Sequence, residues 1–152
     1  MFHHITHDDS NATIEVHPAQ ELVRLTWKGT VVGEPYRGVL GRLLEAVQQH
    51  RIRLWLNDGR RGGTLPMEDQ HWTMQEFTPR LMAAGLRRIA LVQSDDRSSH
   101  SSVDRMINET PSDATYDIAY FEDPAIAQLW LMDPSKTNTR VAWTPRGSVR
   151  ND

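Results

Sequence analysis

Cysteine is absent from this chain of 152 residues. Disulfide bonds, thiolate metal sites and cysteine nucleophiles are therefore excluded. The sequence also has no apolar run near the ~18 residues that a membrane-spanning helix needs, and it begins without the basic and apolar stretches of a signal peptide. We expect a cytoplasmic protein that does not contact a membrane.

An excess of positive charge is also missing, because the formal net charge is −3. Nucleic acid is consequently not an expected partner. Residues 135–152 hold four basic residues against one acidic residue, a net charge of +3 that leaves −6 on the rest. The length suits one domain with a single core. We predict that domain over residues 1–133, with a flexible N-terminus at 1–11, followed by a basic tail at 134–152.

Apolar periodicity predicts an α/β chain. Strands are predicted where apolar residues alternate with polar ones or form short buried runs, namely around Ile14–Val16, Val23–Trp27, Ile52–Leu56, Ile89–Val92 and Asp117–Phe121. Helices are predicted over Tyr36–Val47, Pro66–Ala84, Val103–Asn108 and after the N-cap Asp123. Gly85 is expected to end the second helix and Pro79 to kink it. The predicted fold is a small mixed β-sheet with helices packed on it, in the order β-β-α-β-α-β-α-β-α.

Several short strings in this order resemble one family. They are Tyr36-Arg37, Trp55-Leu56-Asn57-Asp58 with Arg60, Glu68-Asp69 with Trp72, Pro79-Arg80, Gly85-Leu86, and Phe121-Glu122-Asp123 with Ala127, Trp130 and Leu131. From about residue 12 to residue 133 the chain is similar to STAS-like domains, which have the anti-sigma-factor-antagonist type of fold. The resemblance implies helices on one side of the sheet and a regulatory, partner-switching role. It also implies a phosphoacceptor before the helix after the third strand, where Thr64 is the only hydroxyl.

The carboxyl ends of the predicted parallel strands are the expected place for a ligand. Asn57, Asp58, Arg60 and Arg61 follow one strand, and Asp96 follows the next. The arginines suit a carboxylate or phosphate, so these five residues form a candidate site for a small anionic ligand. In the alternative interpretation, Asp58 and Arg60 form a structural ion pair that braces a glycine-rich turn.

Other polar groups are better explained by structure than by chemistry. Glu68 and Asp69 complement the start of a helix, although a carboxylate pair with His71 as proton shuttle is the catalytic alternative. The N-terminal histidines predict no metal site, and no motif for a cofactor is present. Two arginine pairs at strand beginnings, Arg51/Arg53 and Arg87/Arg88, are expected to be solvated.

Two functions follow from the sequence. The first is a non-catalytic regulatory or protein-interaction module. The second is a protein or enzyme that binds a small anionic ligand at the strand ends near Leu56 and Val92. A homodimer is also predicted, because Val141 and Trp143 share one face of a strand-like segment in the basic tail and would dock on the acidic body of the same or a second copy.

Overall fold

The computed structural model describes residues 4–93, 105, 108 and 116–133, together with the backbone of residues 140 and 141. Within these residues seven strands form one sheet, and their order in space is their order along the chain. The strands are β1 (His4–Asp8), β2 (Ala12–His17), β3 (Leu22–Trp27), β4 (Leu54–Asp58), β5 (Arg88–Val92), β6 (Asp117–Phe121) and β7 (Arg140–Val141). Strands β1 to β3 are antiparallel, and β3 to β7 run parallel. The chain is therefore an α/β protein with a mixed sheet.

Four α-helices occur in the described part of the chain. They are α1 (Glu34–His50), α2 (Met67–Trp72), α3 (Thr78–Ala83) and α4 (Pro124–Met132). A π-helical segment, Thr73–Phe77, joins α2 to α3 without a break. It ends two residues before Pro79, the predicted kink, where the missing N–H removes one bond of the helical ladder. The predicted helix over Val103–Asn108 lies largely outside the described residues.

The β2–β3 hairpin follows from strict alternation. Ala12, Ile14 and Val16 are buried while the residues between them are partly exposed. One face of β2 therefore joins the core, and the register with β3 is fixed because a slip of one residue would turn these side chains to solvent. A short 3₁₀ turn, Pro18–Gln20, connects the strands.

Helices cover both faces of the sheet, which corrects the expectation of helices on one side only. Residues of α1 and α3 pack with Ile14, Leu25 and Trp55 in one core cluster. Ala127 and Leu131 of α4 pack in a second cluster with the opposite face of the sheet, which includes Leu56. Two layers of helices thus sandwich the sheet, and they give its two faces different environments.

Both ends of the chain add strands to the sheet. Residues 4–8 form β1, paired with β2, where the sequence predicted a flexible terminus. Arg140 and Val141 form β7, which pairs in parallel with β6. This is strand addition within one chain, and Trp143 lies outside the described residues. The predicted homodimer stays a prediction.

Both ends of α4 are capped. Asp123 is the predicted N-cap, and its carboxylate accepts a hydrogen bond from the backbone N–H of Ala125 at 2.8 Å. At the other end, Nη1 of Arg88 donates to the carbonyls of Trp130, Leu131 and Asp133. The prediction that Arg88 is solvated is wrong: only 7% of its surface is exposed.

Candidate functional site

A cavity of about 140 Å³ lies between the sheet on one side and α1, the π-helical segment Thr73–Phe77 and α3 on the other. Its floor is formed by β3 to β6, and its rim by the segments that follow β3, β4 and β5, including Gly29, Gly59 and Gln93. It is therefore at the carboxyl ends of the parallel strands, where α/β proteins bind ligands. The predicted location of a site is the location of the cavity, but its lining differs from the predicted one.

Aromatic rings form much of the cavity wall. Trp27 stacks on Tyr36 with ring centroids 5.5 Å apart, and the ring of Trp55 meets the edge of Phe77 at 6.1 Å. Trp27, Tyr36 and Trp55 line the cavity, together with aliphatic side chains of β5 and β6 such as Ile89. All four residues are buried. The wall is thus rigid and apolar, which suits a ring-shaped or aliphatic ligand.

The hydroxyl groups of the wall bond to one another and to backbone carbonyls. Thr73 Oγ1 donates to the carbonyl of Asp69 at 2.7 Å, which uses its only proton. The Tyr36 hydroxyl lies 2.7 Å from Thr73 Oγ1 and is therefore the donor of the hydrogen bond between the two hydroxyl groups. Thr78 Oγ1 donates to the carbonyl of Thr73 at 2.8 Å. Burial raises the pKa of Tyr36 well above its usual value, so this phenol stays protonated.

Asn57 is the polar side chain of β4 on this face. Its Oδ1 accepts a hydrogen bond from Trp27 Nε1 at 2.9 Å, which settles which end of the amide is oxygen. Its Nδ2 has no hydrogen-bond partner among the described residues. Two residues earlier on the same face, the Nε1 of Trp55 is buried and also without a partner. Two donors are therefore unused in this wall.

Glycines let two loops approach the cavity closely. A Cβ at Gly59 would lie 2.5 Å from the side chain of Gln93, and a Cβ at Gly63 would lie 2.6 Å from Thr30 Oγ1. The Gln93 amide is oriented so that Nε2 donates to the carbonyl of Gly59 at 3.1 Å. A side chain at either glycine would have to displace Gln93 or Thr30 from its position, so both glycines leave room for these side chains beside the cavity rim.

Asp69 fastens the segment between β3 and α1 to α2. Its Oδ2 accepts the backbone N–H of Gly33 at 2.8 Å, and its Oδ1 lies 3.5 Å from Arg37. Gly33 has φ of +69°, a conformation that side chains rarely adopt. The Arg37 guanidinium also lies over the ring of Trp72 at 5.5 Å. The helix-start role predicted for Asp69 is thus combined with a tertiary contact to the segment before α1.

Asp58 belongs to the opposite face of the sheet. Its carboxylate accepts two side-chain hydrogen bonds from Arg60, at 3.0 and 2.8 Å, and one from Arg24 at 3.3 Å. Burial acts to raise the pKa of Asp58, but the hydrogen bonds and charges of Arg60 and Arg24 outweigh it, so the pKa is lowered. The structure contains the Asp58–Arg60 pair of the alternative interpretation, in which it braces the loop that forms the cavity rim.

The structure thus places the five residues predicted to bind a ligand in different surroundings. Only Asn57 lines the cavity. Asp58 and Arg60 pair with each other, Arg61 is exposed and Asp96 lies outside the described residues. Thr64 is exposed on the same loop, and its phosphorylation stays a prediction.

The carboxylates and histidine of the catalytic alternative are not brought together. Asp69 is buried beside Arg37, whereas Glu68 and His71 are exposed. Over the ranges that the structure describes, no group of three or more metal-ligating side chains could hold a metal ion. No helix in those ranges is both long and apolar enough to cross a bilayer.

Sequence reasoning missed most of the cavity wall. The apolar periodicity predicts Tyr36 in a helix and Trp27 and Trp55 in strands, and it does not indicate a space between them. The available signal was the alternation within β4, which places Trp55 and Asn57 on one face and Asp58 on the other.

Comparison of the chain with known protein families, with known proteins and with solved structures finds no significant match.

Proposed function

We propose that this protein is a regulatory domain that binds a small, mainly apolar molecule in the cavity between the sheet and the layer formed by α1, the π-helical segment and α3. The observation that carries the proposal is the cavity itself: about 140 Å³, at the carboxyl ends of the strands, with aromatic walls and unused hydrogen-bond donors. Its position and composition match those of typical small-molecule sites.

The lining also supports binding without catalysis. Among the described residues around the cavity there is no carboxylate, imidazole, amine or guanidinium. Acid–base catalysis needs such groups within reach of the substrate, and the Tyr36 phenol is already bound to Thr73. The same absence favours a neutral ligand over the anionic one suggested by the arginines, because Arg60 and Arg24 are paired with Asp58 on the other face. The regulatory role continues the prediction drawn from the STAS-like resemblance.

A side chain placed at Gly29 is expected to plug the cavity. Gly29 lines the cavity, a Cβ there meets nothing within 4 Å, and its φ is not in the left-handed region. In a thermal-shift screen of small neutral aromatic compounds, a ligand present at 100 times its Kd stabilises the native state by about 2.7 kcal/mol. For a chain of this size the midpoint should rise by roughly 5–10 °C. We expect Gly29→Leu to lose most of that shift.

The matched control is Gly38→Leu. Gly38 lies on the exposed side of α1, a Cβ there also meets nothing, and it does not line the cavity. This variant should keep the full shift. If no compound of the screen stabilises the wild type, the proposed function is wrong. If Gly29→Leu responds as strongly as Gly38→Leu, binding occurs elsewhere.

A second candidate function, self-association, is favoured by the outer face of α4. Ile126, Leu129 and Met132 are 44, 69 and 42% exposed, and the described helix carries no charged residue. They recur every three positions, so a two-fold axis through Leu129 would place each Ile126 against Met132 of the partner subunit. Such an antiparallel pair also aligns opposite ends of the helix dipoles. The occupant that best fits this self-complementary face is a second copy of the chain.

A charge at the centre of this face is expected to abolish the dimer. Sedimentation equilibrium should find a dimer for the wild type and a monomer for Leu129→Lys, because the axis would bring two ammonium groups together without a counter-ion. Val32→Lys, at a residue exposed to 42% elsewhere, is the control and should stay dimeric. Truncation after Pro134 separates this interface from the tail-mediated dimer. A monomeric wild type would exclude both.

A further inference from the structure

We infer that the ligand of the cavity is a neutral molecule with one planar ring and a hydrogen-bond acceptor, and that Asn57 Nδ2 donates to this acceptor. The inference rests on the proposed function and adds the chemical class of the ligand. It follows from the size of the cavity, from its walls and from the unused donors on β4.

The size limits the deep part of the ligand to about one ring. A cavity of about 150 Å³ with apolar walls accepts benzene, and this one is about 140 Å³. The wall is aromatic, since Trp27 and Tyr36, stacked on each other with 18° between their planes, both line the cavity. An aromatic ring gains offset or edge-to-face contacts with such rings, which a branched aliphatic chain of equal volume does not.

The N–H donors of the cavity wall indicate which polar group the ligand carries. Because Trp27 Nε1 bonds to Asn57 Oδ1, the nitrogen end of the Asn57 amide is left for a ligand. Trp55, on the same face of β4, has an indole N–H that is also without a partner among the described residues, but it is fully enclosed by protein. The Asn57 amide, which is only partly buried, is therefore the donor within reach of a ligand. A carbonyl oxygen or a ring nitrogen supplies an acceptor for this donor without bringing a charge into an uncharged wall.

Three probes of similar size test the assignment. Ethylbenzene has the ring alone, acetophenone adds a neutral acceptor, and benzoate adds a charged one. Binding is followed by NMR titration of the ¹⁵N-labelled full chain, read at the Asn57 side-chain amide and at the Trp55 indole, which is assigned with Trp55→Phe. We expect acetophenone to shift the Asn57 side-chain amide signals beyond the effect of its ring current, and ethylbenzene to shift neither donor signal beyond that effect.

The variant Asn57→Asp keeps an oxygen for Trp27 and replaces the free N–H₂ by a second oxygen. We expect its Kd for acetophenone to rise at least ~10-fold, and its Kd for ethylbenzene to change less than ~3-fold. Gln48→Glu makes the same amide-to-carboxylate change on an exposed part of α1 and should alter neither. The donor signals of the wild type answer the question independently if Asn57→Asp does not fold.

The outcomes separate the two levels of the proposal. If no probe binds the wild type, binding in the cavity is itself wrong. If ethylbenzene and acetophenone bind but Asn57→Asp weakens them equally, or the Asn57 amide signals do not respond to the carbonyl, the cavity binds ligands and the role of Asn57 is wrong. If benzoate binds most tightly, the ligand is anionic and the inference is overturned.

Discussion

Replacing Arg88 by alanine is expected to lower the free energy of unfolding by about 3 kcal/mol. The guanidinium is buried, and it donates to three carbonyls at the carboxyl end of α4, where the helix dipole is negative. It also lies over the ring of Trp130 at 5.6 Å. Hydrogen bonds from charged groups contribute about 1.5–3 kcal/mol, and the alanine variant also loses the packing of the side-chain stem.

Two further variants separate the contributions of hydrogen bonding, charge and packing to this loss of stability. Arg88→Met keeps most of the packing and removes the donors, so about half of the effect should remain. Arg88→Lys keeps a charge but has one nitrogen to offer, and it should fall between the wild type and methionine. Urea unfolding with an unchanged m-value measures all three. A methionine variant as stable as the wild type would show that the cap adds nothing beyond its packing.

Arg88 also shows which parts of the fold could be predicted from the sequence. The strand β5 was predicted within one residue, because its apolar run is too short for a helix and is rich in β-branched residues. Arg88, the first residue of this strand, is buried because it caps the end of α4, which lies 42 residues further along the chain. No local sequence pattern shows this contact. Similarly, helical spacing places Ile126, Leu129 and Trp130 on one face of the helix after Asp123, yet Ala127 and Leu131 are the buried residues of α4. Helical spacing defines faces, and only tertiary packing decides which face is inside.

The candidate site, too, was predictable where it depends on topology and strand alternation, and unpredictable where it depends on tertiary packing. The placement of a site at the carboxyl ends of β4 and β5 followed from topology alone and agrees with the cavity. The period of two along β4 was sufficient to separate Asn57 from Asp58, since adjacent residues of a strand point to opposite faces. The hydrogen bond between Tyr36 and Thr73 could not be predicted from the sequence, because the residues are 37 positions apart and meet only when α1 packs on the π-helical segment.

Removing the charge of Asp58 is expected to cost about 2 kcal/mol at pH 7. Its buried carboxylate accepts four hydrogen bonds, three from the backbone and side chain of Arg60 and one from Arg24. In Asp58→Asn the amide has nearly the same shape, but one of its two ends becomes a donor facing guanidinium N–H groups. Because both arginines stay partly exposed, water compensates part of the loss, and the cost stays below that of a fully buried pair.

The pH dependence identifies the charge as the cause. The pKa of Asp58 is lower in the folded state than its ordinary value of 3.8, so its stabilising effect is fully present above about pH 4. As the pH falls through the folded-state pKa, the carboxylate is protonated and the effect is lost. The difference in unfolding free energy between wild type and Asp58→Asn should therefore be constant from pH 7 to pH 5 and shrink below pH 4.

A surface pair provides the control, and the cavity provides a second readout. Glu45→Gln removes a carboxylate from an exposed pair with Arg42 and should cost at most about 0.5 kcal/mol. Asp58 also holds the loop through Gly59–Gly63, which forms the cavity rim. We therefore expect Asp58→Asn to weaken the affinity for acetophenone as well. Asp58 faces the other side of the sheet, so this effect would act through the loop and not through contact with the ligand. A difference between wild type and Asp58→Asn that persists unchanged at pH 2 would contradict the assigned role of the charge.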